Sequence, residues 1–389
     1  MLKFGLLIAL LSTACSANRA SNLLCDACTS DADCGGNPCF QDISGMHYCG
    51  APCDACPAGF SCQGAAGSAG QAAYTCFPDN NSCAMTQATN DMATSLPDLT
   101  GTAPMDLAPV ACTAPAATGV TQGGGTVDRL FFGFTGDTRP AASEASYPAA
   151  LQTIIDNIFT QMGDKGVQFA VDQGDHLEAS NATAAATQMG NYLTAAGKLG
   201  RPVFMTMGNH ECSNSFNPGT DCSASCTGDF KCKAFLDALG GTEPYYRFDV
   251  MTQSGLAVFI VIADDTWNAT QQAWLTTQLT DADAHAKYTF VSKHHPEGNT
   301  DQTFFADIEN LVRAHKYTLF LTGHSHEYKR EYADPRAIVM GLGGAPFDNP
   351  SQMFWGYGTI MQCPDDRIYV NIYDQASGNV VSSFNVPPQ

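Results

Sequence analysis

Basic side chains are scarce in this 389-residue chain: 18 Lys and Arg stand against 38 Asp and Glu, a net charge of −20. That balance excludes a general nucleic-acid binder, which needs a basic face to neutralise phosphates. It leaves phosphate esters open as substrates, because bound cations would reverse the potential locally. The apolar run from Phe4 to Leu11 has the length of a signal peptide and is too short to span a bilayer stably. Residues 22–83 lack long apolar runs, and a unit that small without a core needs covalent staples. Residues 84–125 are poor in Leu and Ile and dominated by Ala, Thr, Pro, Gly and Asp, which favours an extended or flexible tether over packed structure.

What is present begins with 44% apolar residues, enough to bury a sizeable core. Lys3 and the apolar run are followed by Ser12-Thr13-Ala14-Cys15. This ending resembles the lipobox of bacterial lipoproteins, with Ser12 where an aliphatic residue is commoner. The resemblance implies a signal over 1–15, a lipid on Cys15 and anchoring to a membrane. Ser16 in the next position fits delivery to the outer membrane or cell surface. An ordinary secretory signal cut nearby, giving a periplasmic or secreted protein, is the other reading; both export the chain. Of the 17 cysteines, removal of Cys15 leaves an even number, and ten fall between Cys25 and Cys83. That density reads as a disulfide module over 22–83 in an oxidising compartment, with the CxxC pairs Cys25/Cys28 and Cys53/Cys56 leaving a zinc alternative. The module's partner cannot be read. Cys212, Cys222, Cys226 and Cys232 fit two further disulfides, and parity pairs Cys112 with Cys363.

From residue 126 to 389 the pattern changes to short apolar strands alternating with helical spacing. Strands are expected at 129–134, 167–171, 202–207, 256–262, 288–292 and 317–321, helices at 147–162, 183–199, 270–281 and 303–315, and a strand-rich tail at 337–386. Five strands run into clusters of Asp, Asn and His. In a β-α alternating fold the carboxyl ends of the strands line one edge, so these clusters converge.

The clusters are Gly136-Asp137, Gly174-Asp175, Gly208-Asn209-His210-Glu211, His294-His295-Pro296 and Gly323-His324-Ser325-His326. In this order they resemble the motif series of the calcineurin-like metallophosphoesterases. The stretch from His324 to Arg330 and the helix carrying Trp274 and Leu275 look most like the purple acid phosphatase branch. The resemblance covers roughly residues 127–335 and implies a four-layer α-β-β-α sandwich of two mixed sheets. It implies two metal ions, with Fe, Mn or Zn suited to mixed oxygen and imidazole ligands. Asp175 would bridge them, Asp137 and His326 would serve the first, and Asn209, His294 and His324 the second. Such a pair clamps a phosphoryl group and acidifies a water. His210 would act as acid or phosphate donor at the leaving group, with Glu211 orienting it.

The sequence departs from the family twice. Arg139 stands where many members carry the His of Asp-x-His, and Glu178 stands where the purple branch carries a tyrosine ligand. Glu178 is a candidate hard oxygen ligand to the first metal, and Arg139 a candidate contact to substrate phosphate or a plain surface residue. The expected function is exported, metal-dependent hydrolysis of phosphate esters, monoesters slightly favoured, with phosphodiesters the nearest rival. A non-catalytic surface binding protein on a degenerate phosphoesterase scaffold is the rival of another class. His176 and His295 adjoin proposed ligands and are candidates to support them. His47, His285 and His315 are set aside, and Lys293 and Arg330 are more in keeping with surface roles.

Overall fold

The computed structural model describes residues 112–212, 226–299, 304–330, 334–348 and 354–386, together with Cys34 and the strands Cys39–Gln41, His47–Cys49, Phe60–Ala66 and Ala72–Pro78. Cys15 lies outside the described residues. Among them no helix is long and apolar enough to cross a membrane.

Two eight-stranded mixed sheets face each other. In one, the parallel strands Phe131–Thr135, Phe169–Asp172 and Val203–Met205 lie beside antiparallel Gly356–Gln362, Ile368–Asp374 and Val380–Asn385. In the other, Gly255–Val261, Ala286–Ser292, Leu319–Thr322 and Ala337–Met340 run parallel, with Tyr246–Thr252 antiparallel to the first of them. Between the sheets, Phe132, Phe134, Phe169 and Phe204 meet Phe248, Phe259 and Phe290 in one buried cluster. Phe132 stacks on Phe169 at 5.0 Å, and Phe169 meets Phe259 edge-on at 5.2 Å, pairings worth about 0.5–1.5 kcal/mol beyond their buried area.

Helices cover both outer faces. The helices α1 (Ala149–Asp164), α2 (Ala182–Ala196) and α3 (Phe230–Leu239) bury Ile155, Ile158, Phe159, Tyr192 and Phe235 on the first sheet. The helices α4 (Ala269–His285) and α5 (Phe304–Arg313) bury Leu275, Leu279, Phe305 and Ile308 on the second. Asn181, Asp229 and Asn268 start α2, α3 and α4 by accepting backbone N–H groups that a helix's first turn leaves unpaired. The result is the four-layer sandwich expected.

Two segments belong to the fold that the sequence reading placed outside it. The tether expected through residue 125 is structured from Cys112. The strands Val120–Thr121 and Gly124–Thr126 edge the second sheet, and a disulfide ties Cys112 to Cys363. The hairpin Phe60–Ala66/Ala72–Pro78 extends the first sheet, with Cys62 opposite Ser383. Cys34 pairs with Cys49 and Cys226 with Cys232, and Cys212 is also disulfide-bonded.

Candidate metal centre

The parallel strands of both sheets end on the same edge, and the residues just beyond them meet there. Backbone bonds lock the turns together: Asp137 N–H donates to Gly174 O, Thr138 N–H to Asp175 O and Gly323 N–H to His294 O. Four of the non-glycine residues with left-handed backbone among the described ones are Asp137, Asp175, His324 and His326, with φ of 60°, 61°, 70° and 38°. Each such residue costs roughly 1–3 kcal/mol and persists where its surroundings over-determine it. The turns throw these side chains back into one pocket. Two glycines make room for the carboxylates: a Cβ on Gly208 would lie 2.4 Å from Asp175 Oδ1, and one on Gly323 2.5 Å from Asp137 Oδ2.

One half of the pocket is built from facing oxygen and ring-nitrogen atoms. Asn209 Oδ1 lies 3.0 Å from both His294 Nε2 and His324 Nδ1, and His294 Nε2 lies 3.3 Å from Asp175 Oδ1. His294 Nδ1 stands 2.7 Å from the Gln173 carbonyl, which only accepts, so Nδ1 carries a proton and Nε2 is the nitrogen turned to the pocket. Burial, joined by the neighbouring His295 and His294, pushes the His324 imidazole down to about 2, so it is neutral. An amide oxygen, a carboxylate oxygen and two imidazole nitrogens facing one another make a donor set that suits a cation. Ligand atoms of Asp137, Asp175 and His294 all lie within 4.8 Å of one another.

The other half is already rich in protons. His326 Nδ1 donates to the Pro346 carbonyl at 2.6 Å, and Nε2 faces Asp137 Oδ1 at 3.4 Å. Burial opposes charge on His326, but the hydrogen bond to Asp137 and its charge hold the group up at about 9. The Arg139 Nε–H donates to Asp175 Oδ2 at 3.2 Å. Burial works against ionisation of Asp175, yet His294, His210 and Arg139 hold its carboxyl far below the usual range.

Two roles read from sequence are corrected. Glu211 does not orient His210. Its fully buried carboxylate accepts four backbone N–H groups, from Gly208 and Asp175 on Oε2 and His176 and Leu177 on Oε1, at 2.7–3.1 Å. It therefore clamps the two motif turns against each other. The partner of His210 is Glu178, whose Oε2 lies 2.5 Å from His210 Nδ1 and 3.5 Å from Arg139. Glu178 thus faces an imidazole and a guanidinium rather than Asp137 and His326. Burial raises its pKa, but His210 first and then Lys231 and Arg139 bring it below the ordinary value.

His176 and His295 support the pocket from behind. His176 is buried between Asp172, 3.0 Å from Nε2, and Glu211, 3.4 Å from Nδ1. Against the cost of burial, these carboxylates raise it to about 10. Asp172 is therefore part of a buried ion network. His295 packs on Phe305 and His324, both at 4.3 Å between ring centroids, and its Nδ1 and backbone N lie 3.0 Å from Asp264 Oδ2. Lys293 is wholly buried beside Asp264 and Glu309, at 4.0 and 3.5 Å. Asp264 and Asp265 escaped the sequence reading, although they follow the strand Gly255–Val261 closely, as the five clusters follow theirs. Arg330 lies over the Phe384 ring at 4.2 Å.

Residues 132–328 match the family model described as calcineurin-like phosphoesterase. No curated protein matches the chain. Among solved structures, the chain is similar to a purple acid phosphatase from yellow lupin (Lupinus luteus) seeds, with 15% identity, a TM-score of 0.48, 66% of this chain and 53% of that chain covered. The match thus spans about half of the lupin chain. It is also similar to a dimetal phosphatase from Danio rerio, with 14% identity, a TM-score of 0.47 and 67% and 99% covered.

Proposed function

The chain belongs to the calcineurin-like phosphoesterase family, and from that premise we propose that it is an exported metal-dependent hydrolase of phosphate esters, favouring monoesters. The observation that carries this reading is the convergence of Asn209 Oδ1, His294 Nε2, His324 Nδ1 and Asp175 Oδ1, with His294 Nδ1 held on the Gln173 carbonyl. These four residues would hold one ion; Asp137, His326 and the second oxygen of Asp175 would hold another. Bound Fe, Mn or Zn ions would supply Lewis acidity and an acidified water.

The chain's own groups do the rest. His210 stands at the rim, and Glu178 fixes its ring by taking up Nδ1. Its Nε2, 3.8 Å from Asp175 Oδ2, would meet the oxygen of the leaving group as a general acid. The Arg139 guanidinium, next to the bridging carboxylate, is placed to hold a phosphoryl oxygen. Glu211 keeps the turn of Asp175 and the turn of Asn209 in register.

Export is supported by nine disulfide-bonded cysteines among the described residues, a usage suited to an oxidising compartment. The lipobox-like ending supports a lipid anchor at Cys15; intact mass of the membrane-extracted protein should show the acyl mass on residue 15.

The test is turnover of a chromogenic phosphate monoester and diester by the full chain supplied with Mn, Fe or Zn, beside Asp175→Ala. Metal-dependent turnover lost in the variant is expected, with the monoester faster. A faster diester would reverse the substrate preference. Absence of both turnover and bound metal would favour a binding protein on this scaffold.

A further inference from the structure

We propose that Arg139 occupies the first half of the metal pocket as a built-in cation, so that metal binding there is coupled to the arrival of phosphate. The proposal rests on the metal reading above and concerns its regulation. The Arg139 Nε–H donates to Asp175 Oδ2, the oxygen on the side away from the Asn209–His294–His324 donors, and its Nη1 reaches Pro140 O at 3.1 Å and Glu178 Oε2 at 3.5 Å. The backbone on either side cannot shift easily, because Asp137 and Thr138 N–H groups are bonded to Gly174 and Asp175 carbonyls. Movement is left to the arginine side chain, whose 15% exposure opens it to the pocket's mouth.

A cation bound to Asp175 Oδ2 and a guanidinium on the same oxygen carry like charge and compete for it. Asp137 and His326 are the other donors on that side, against three besides Asp175 on the opposite side. The first position should therefore bind metal more weakly than the second. A phosphate oxyanion offers the guanidinium a bidentate partner that Asp175 does not. With Arg139 drawn onto phosphate, Oδ2 is released for metal. By linkage, phosphate and the first ion then strengthen each other by the same factor.

The experiment is a calorimetric titration of the metal-stripped full chain with Mn²⁺, with and without inorganic phosphate, and bound Mn²⁺ counted by paramagnetic resonance. The wild type should bind one ion tightly and a second at least about 10-fold more weakly, and phosphate should tighten the second about 10-fold. Arg139→Ala, or the near-isosteric Arg139→Gln if the alanine variant misfolds, should narrow the gap and lose the phosphate effect. Two equal sites in the wild type, or a phosphate effect that persists in the variants, would overturn the coupling. No Mn²⁺ bound by the wild type would instead overturn the metal reading on which it rests.

Discussion

The two sides of Asp175 are unlike. On one side, Asn209, His294 and His324 turn an amide oxygen and two ring nitrogens toward one another, with His324 held neutral. On the other, Arg139 and a raised His326 bring protons to the carboxylates of Asp175 and Asp137. One carboxylate thus borders a side arranged to receive a cation and a side where the protein supplies its own. The family's motif letters alone make the halves look equivalent; the residue two places after Asp137 separates them.

The widest test of this contrast removes the shared residue. Asp175→Ala should lower turnover by about 10³-fold or more, measured on the preferred ester, since losing one group that organises charge at a reacting centre already costs about 10²–10³. Next, His210→Ala should lower kcat by about 10²–10⁴-fold, and Glu178→Gln by roughly 10-fold, with metal content unchanged in both. Lost metal in Glu178→Gln would return that carboxylate to the ligand role read from sequence. Asn209→Ala should weaken the tighter ion by about 100-fold or more, beyond the 10–100-fold typical of losing an outer partner. Equal weakening of both ions would erase the distinction between the sides.

A smaller effect belongs to His176 behind the pocket. Its folded value of about 10 lies above the ordinary 6.5, so its contribution is fully present below pH 6.5 and lost as pH rises toward 10. Melting temperature should fall more steeply over that window in the wild type than in His176→Gln. Least affected should be Arg330→Ala. Its contact with the Phe384 ring is worth about 0.5–1 kcal/mol, and turnover should be unchanged.

Much of the site was legible because each ligand candidate follows an apolar strand closely, and parallel strands deliver their ends to one edge. The strands at 131–135, 169–172 and 203–205 and the helix α1 lie within a few residues of their expected places. Roles inside the turns were less legible. Glu178 reaches His210, and Glu211 the backbone at 175–177, across from a separate turn, and the left-handed backbone at Asp175 that shapes these turns is reported by no periodicity. The helix α3 and the strand Tyr246–Thr252 were missed. The strand's polar and apolar residues alternate only partly, and the helix stands after a cysteine-rich insertion that read as loop. Segments before residue 126 looked like tether by composition, yet a two-residue strand needs only backbone pairing to join a sheet edge.

The Cys112–Cys363 bond joins residues 251 positions apart and so turns the catalytic unit into a closed ring with a short tail. A protease that cuts one exposed loop within that ring opens it without releasing a fragment. The two pieces stay joined through the disulfide, and the strands on either side of the cut can still pair. One covalent link between Cys112 and Cys363 makes a single nick a repairable event rather than a loss of half the pocket.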